Sequence, residues 1–406
     1  MDKLFAGVRV IDFSNNVAGP CTAAMLADFG ADVIKVEKPV TGDDSRGYSP
    51  SINGHGLSGL WLNRGKRSIA LNLKNPIGKS LFLELLNTAD VLIESSRPGV
   101  MKRLGLDYET LKDKFPRLIM LSISGFGQTG PYRDLPGYDI IAQAASGLMY
   151  VNGFPENPPT RVGPAVSDYV CAHNGFGAIS AALYYREKSG KGQQIDLSVA
   201  ECALSINDYI PSGFLDPKIK RTGNHHALMA PYGVFNCSHG SISLGAINPS
   251  LWERLCHLMG CEEYISKPGF ETASKRATPE SNPKVVELIE TWLESTGDIK
   301  VAERLLRENG IPCFHIMTLQ ELKVDPHYDA RGTITELQTP MLPMPTLRVR
   351  GNHIHMSETP GQFGVPPLLN QHADEILFEV LGHTEAEKQE MILNGAFGNQ
   401  YGTKDA

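Results

Sequence analysis

At 406 residues, with 41% hydrophobic and 20% charged side chains, the chain can bury a large core and is expected to divide into two domains rather than one. A net charge of −7 and scattered Lys and Arg argue against a nucleic-acid or anionic-membrane partner. No apolar run approaches the ~20 residues of a membrane-spanning helix, and the N-terminal MDKLFAGVRVIDF runs into strand-like sequence without a cleavable signal, so the cytoplasm is the expected location.

In chain order, VRVIDF (8–13), PCTAAMLADFG (20–30) and ADVIKVE (31–37) read as strand, helix and strand. Pro20 suits a first helical turn and Gly30 the left-handed residue that closes a helix. RSIALNLK (67–74), NPIGKSLFLELLNTA (75–89) and DVLIESS (90–96) repeat the pattern, and RLIMLSIS (117–124) adds a strand. The predicted fold class is α/β, a parallel sheet covered by helices.

Residues 139–150 read as helix, and a longer small-residue helix is predicted from Val166 to about Lys188, before the strand QQIDLSV and a helix starting near Ala200. RTGNHHALMAPYGVFNCSHGSISLGAI then reads as loop and antiparallel strands, followed by helices at 249–259, 284–296 and 298–309. This change of pattern marks a smaller α+β domain over 225–325, leaving 1–224 and 326–406 to the large domain. The tail carries short β segments, many prolines between 340 and 367, and a helix around 372–381.

Seven cysteines without a C-x-x-C indicate neither a disulfide framework nor a zinc site, and reduced thiols are expected. The first strand-to-helix turn, SNNVAGP (14–20), lacks the G-x-G-x-x-G that lets a pyrophosphate approach a Rossmann helix, which disfavours a nicotinamide or flavin enzyme. There is no Walker A sequence and no G-x-S-x-G elbow.

Asp168 stands near the start of the long helix, with Cys171 and Ala172 where an intrahelical cation would be. One reading is that Ser167 or Asp168 caps the helix. The other is that the helix start keeps the carboxylate ionised in an apolar cleft, as nucleophile or base. His173 falls within the same helix, expected in the core, and reads first as a hydrogen-bonded structural histidine and second as a site candidate. RGKRS (64–68), Lys74, Lys79, Lys102 and Arg103 each read singly as solvated surface; as a set, following predicted strands whose ends should share one sheet edge, they can supply cations for a phosphorylated ligand.

AGP with ADVIKVE (18–37), GDDSRG (42–47), NRGKRSIALNLK (63–74), ADVLIESSRPGVMKRLGLDYETL (89–111), SGFGQTGPYRDLPGYD (124–139) and the segment 166–199 together resemble the CaiB/BaiF family, the family III CoA-transferases. RTGN (221–224), GIPC (310–313) and DPHYDARGT (325–333) extend the resemblance over roughly residues 5–385. The resemblance implies a Rossmann-like large domain formed by both termini, a small domain inserted between, and an interlocked homodimer. It puts the nucleophilic aspartate on Asp168 and CoA-binding positions on Val17, Ala18, Lys38, Leu73, Lys74, Arg97, Arg103 and Tyr138. Coenzyme A and acyl-CoA then enter as substrates, with a carboxylic acid acceptor, and no tightly bound cofactor or metal is expected. Exchange would run through an aspartyl-CoA thioester, with Gly245, Ala246, Ile247 and Asn248 as guessed oxyanion donors.

A rival within the superfamily, an α-methylacyl-CoA racemase, needs an opposed histidine from a G-H-D motif, where this chain has Gly137, Tyr138 and Asp139. A non-catalytic CoA-binding protein is the rival from another class. Val17 and Gly137 stand where the formyl-CoA:oxalate branch has glutamine and lysine, which disfavours oxalate as acceptor and suits a larger or more apolar acid.

Overall fold

Val10, Ile11, Val33, Ile34, Leu92, Ile93, Met120 and Leu121 are all almost completely buried. Consecutive apolar residues buried on both faces are what a parallel sheet covered on each side requires. In the computed structural model, which describes residues 3–217 and 220–399, these residues lie in β1 (Arg9–Phe13), β2 (Asp32–Glu37), β4 (Val91–Glu94) and β5 (Ile119–Ser124). With β3 (Arg67–Ala70) and β6 (Gln194–Ser198) they form a six-stranded sheet in the order β3-β2-β1-β4-β5-β6, every pairing parallel. The direction of strand addition reverses between β1 and β4, the crevice where open α/β sheets bind ligands.

Five helices of this sheet matter for the site: α1 (Ala18–Asp28), α2 (Pro76–Asn87), α3 (Asp139–Ala145), α4 (Val166–Ser189) and α5 (Val199–Ser205). Ala23 and Leu26 of α1 and Cys171 and Ile179 of α4 pack with Val10, Val33 and Leu121 on one face. Leu81, Phe82 and Leu85 of α2 pack with Ile11, Ile34 and the C-terminal residues Ile376 and Phe397 on the other. Gly30 has φ +98 and follows α1 as the sequence predicts.

The chain divides into two units: Met1–Ser146, Gly163–Ile206 and Asp325–Ala406 form one, and Gly147–Val162 with Asn207–Val324 the other. The second unit has an antiparallel sheet of β7 (Tyr232–Cys237), β8 (Gly240–Gly245) and β9 (Cys313–His315), in the order β9-β8-β7. It is covered by α6 (Pro249–Met259), α7 (Asn282–Ser295) and α8 (Ile299–Glu308), around Trp252, Leu255, Ile289, Leu293 and Leu306.

Residues 207–224, given to the large domain in the sequence reading, fall in this second unit together with 147–162. The physical tie is Arg221, whose guanidinium donates to the carbonyls of Phe154, Tyr150 and Asn157 at 3.3, 3.0 and 3.2 Å. The helix expected over 139–150 is broken: α3 ends at Ala145, and Gly147, at φ +74, turns the chain before a single turn at Leu148–Val151. The predicted 372–381 helix is a short turn, Ala373–Glu375, running into a π-type turn over Ile376–Val380.

Candidate active site

The loops that leave β1, β4 and β5 meet at the sheet's reversal point. Asn15, Asn16, Val17, Ala18, Asp44, Ser95, Ser96, Arg97, Ser124, Gly125, Tyr138, Asp168 and Val199 line a cavity there of about 230 Å³. A second hollow of about 200 Å³ shares Asn15, Ser95 and Ser96 with it and adds Lys38, Gly42 and Asp43.

The cavity floor, residues 14–17, is held by buried charge. Lys35 Nζ donates to the Ser14 carbonyl at 2.6 Å and pairs with Asp43 at 2.7 Å and Asp12 at 3.3 Å. Lys66 Nζ donates to Asp12 at 2.8 Å, and Ser14 Oγ also donates to that carboxylate. Burial works against charge at Asp12, but Lys35 and Lys66 overcome it and hold the carboxyl at about 2. Burial pulls Lys66 down to about 8.

Asp43 in turn accepts from the Asn16 N–H at 3.2 Å and the Ser45 N–H at 2.8 Å. Asn16 sits at φ 71, a left-handed conformation that Asn tolerates, and its side chain accepts from the Tyr48 hydroxyl. Asn15 exchanges two hydrogen bonds with Asp44, and its N–H donates to Ser95 Oγ at 2.8 Å. A Cβ on Gly19 would stand 2.3 Å from Ser14 Cβ, so only glycine lets α1 start this close to the floor. The Rossmann glycines are absent, and ion pairs and asparagines shape the turn instead.

Asp168 lies in the first turn of α4, half-buried. Neither it nor Ser167 caps the helix: the N-cap is Ala165, without a side-chain cap, and the Ser167 hydroxyl is buried with no partner among the described residues. The cap comes from α3, where Asp139 Oδ1 accepts from the Ser167 N–H at 2.8 Å. Asp168 is thereby spared a structural bond, and among the described residues no hydrogen bond reaches its carboxyl. Burial, then the charge of Asp139, pushes that carboxyl up to about 7. The helix start does not keep it in the ordinary carboxylate range, since burial and the neighbouring negative charge both favour the protonated form.

Of the residues singled out from the sequence, Val17, Ala18, Arg97, Tyr138 and Asp168 line the first cavity, and Lys38 lines the second, paired with Asp44 at 3.0 Å. Arg97 makes no ion pair among the described residues, leaving a cation in the wall. Leu73 is half-buried against the core cluster that holds Ile11 and Phe82, Lys74 is exposed, and neither lines the two hollows. Arg103 is exposed on the turn Val100–Leu104 and lies over Gly99, beside Pro98 in the cavity wall. Gly245 ends β8 in the second unit, with Ala246 buried.

His173 is exposed rather than in the core; its Nδ1 is 2.6 Å from the Tyr169 carbonyl and its ring packs against His353. The sequence reading missed Asn15, Asn16, Asp44, Ser95, Ser96 and Asp139. The dipeptide Asn15-Asn16 directly after a predicted strand was the available signal for the first two.

Residues 5–373 match the model of CoA-transferase family III. The chain is 36% identical over 389 residues to a succinate–glutarate CoA-transferase of Agrobacterium fabrum, covering 92% of this chain and 95% of that one. It is 37% identical to a succinyl-CoA–D-citramalate CoA-transferase of Chloroflexus aurantiacus, covering 93% and 94%. The crystal structure of a CaiB/BaiF family protein from Brucella suis superimposes with a TM-score of 0.80 at 31% identity, over 94% of this chain and all of that one.

Proposed function

This chain belongs to CoA-transferase family III and moves coenzyme A from an acyl-CoA to a carboxylic acid; from that premise we propose that Asp168 is the covalent carrier. One observation supports this reading above others: Asp168 lines the cavity at the sheet's reversal point, and its carboxyl has no hydrogen-bond partner among the described residues. A carboxylate with a raised pKa is also a stronger nucleophile than an ordinary one.

The steps balance without net proton transfer. An Asp168 oxygen attacks the donor thioester carbonyl, the C–S bond breaks, and a mixed anhydride and CoA thiolate result. The thiolate attacks the aspartyl carbonyl, releasing the donor acid and leaving an aspartyl-CoA thioester. The acceptor carboxylate attacks that thioester, the thiolate leaves again, and its attack on the new anhydride's acyl carbon yields the product and frees Asp168. Water must be kept out while the anhydride stands.

Arg97, Lys38 and Arg103 serve the phosphates and adenine end of the coenzyme, Leu73 and Lys74 extend that strip, and Val17, Ala18 and Tyr138 border the thiol end. The acceptor is a short dicarboxylic acid and the donor succinyl-CoA. That choice replaces the apolar acid suggested by the sequence, and it rests on relatives named for succinate with glutarate, citramalate or malate.

The working form is an interlocked homodimer in the cytoplasm. About 230 Å³ is too little for a whole coenzyme, which calls for further walls. Tyr184 of α4 is 65% exposed, and Tyr185 and Leu204 also stand open, apolar surface of the kind that a partner covers. Seven free cysteines suit a reducing compartment.

The test is to incubate the enzyme with succinyl-CoA and trap with hydroxylamine or borohydride. An adduct or reduced residue at position 168, absent in Asp168→Ala, is expected. Turnover in Asp168→Ala at the wild-type rate would refute the assignment.

A further inference from the structure

Asp139 stands on a different helix from Asp168, yet one hydrogen bond ties it to the residue before Asp168 and a second holds it in place. Its Oδ1 accepts from the Ser167 N–H at 2.8 Å, fixing the turn of α4 that carries Asp168. Its Oδ2 accepts from Gln143 Nε2 at 2.7 Å, and Gln143 is fully buried. Neither α3 nor α4 has a side-chain cap from its own N-cap residue, so Asp139 is the fixed element between the two helix starts. The geometry points to Asp139 as a positioning residue, which anchors the start of α4 and sets, by its negative charge, the pH at which Asp168 becomes a nucleophile.

The hydrogen bond to the Ser167 N–H puts the Asp139 carboxylate one residue from Asp168 along the chain. Asp139 is the like charge that, after burial, holds a proton on Asp168. The charge of Asp168 acts in turn on Tyr48 beyond the 44–47 turn and on Tyr169 and Cys171 of its own helix; Arg97, Asp44 and Tyr138 share its cavity. Asp139 adds to its charge a side-chain hold, through the Ser167 N–H, on the helix turn that carries Asp168. A side chain that only capped α4 could be any acceptor, whereas a carboxylate there also delays ionisation of its neighbour.

The proposal rests on Asp168 as nucleophile, and its test separates the two ideas. The 13C shift of the Asp168 carboxyl is followed from pH 4 to 9 in the full-length enzyme and assigned by its loss in Asp168→Asn. Asp139→Asn keeps an acceptor for the Ser167 N–H but removes the charge, and should lower the Asp168 midpoint by roughly half a pH unit or more. The acid limb of kcat should move with it, while KM for the acyl-CoA stays within about twofold.

Asp139→Ala removes the acceptor as well and should cost about tenfold or more in kcat. Asp139→Ser, a second charge-free acceptor, serves if the asparagine variant folds poorly, and should show the same lowered midpoint. A midpoint unchanged in both Asn and Ser variants overturns the proposal, even with an adduct trapped on Asp168. A lowered midpoint without any adduct on Asp168 keeps the coupling and refutes the nucleophile.

Discussion

Lys35 Nζ lies 2.7 Å from Asp43 Oδ2 and 3.3 Å from Asp12 Oδ2, and all three side chains are almost fully removed from solvent. Because the same ammonium donates to the Ser14 carbonyl, one cation ties β2 to the floor of the cavity. Lys35→Met leaves Asp43 buried without its cation and should cost about 3–5 kcal/mol of stability, read by urea denaturation. Where the variant folds, KM for acyl-CoA should rise with kcat less affected, since residues 15–17 line the cavity while Asp168 is carried by α4. Unchanged stability would mean that the ion pair does not form.

Asp168 titrates near 7 in the folded chain, well above an ordinary aspartate. Activity that needs the carboxylate should therefore rise with pH through about 7 and level off above it, as kcat measured from pH 5 to 9 would show. The stability effect runs the other way. A carboxyl with a raised folded pKa binds its proton more tightly folded than unfolded, so stability falls as pH climbs from about 4 to about 7. Asp168→Asn should be more stable than wild type above pH 7, by on the order of 1–3 kcal/mol after allowance for partial exposure, and no more stable at pH 4. Thermal melts at both pH values test the sign.

Arg97 is an exposed cation in the cavity wall with no ion pair among the described residues. Arg97→Ala should weaken CoA binding by roughly 10–100-fold, the range for losing a charge-assisted bond, with folding unaffected because the side chain makes no ion pair or hydrogen bond among the described residues. Lys74→Ala, outside both hollows, should change affinity less. Isothermal titration of both variants with CoA checks the order, and equal effects would place the phosphates elsewhere.

The strand and helix segments of the sheet were readable because their cause is local. β-branched and apolar runs such as VLIE and IMLSIS can be satisfied only between two covered faces, and Gly30 and Gly190 mark helix ends by a backbone conformation that other residues avoid. Asp168 was legible as a candidate through its position at a helix start and its family resemblance. The helix expected over 139–150 breaks because its periodicity runs through Gly147, whose left-handed turn a periodic pattern does not reveal.

By itself the sequence determined the alternation of strands and helices, the missing dinucleotide loop and the family, all properties of residues close together along the chain. Only the tertiary structure decided that Asp139 caps the helix of Asp168, that Lys35 reaches from β2 to Ser14, and that Arg221 draws 207–224 into the second unit. Each of these joins residues distant in sequence or on different elements, and a hydrogen bond or ion pair depends on distance in space, which sequence spacing does not encode once the chain has turned.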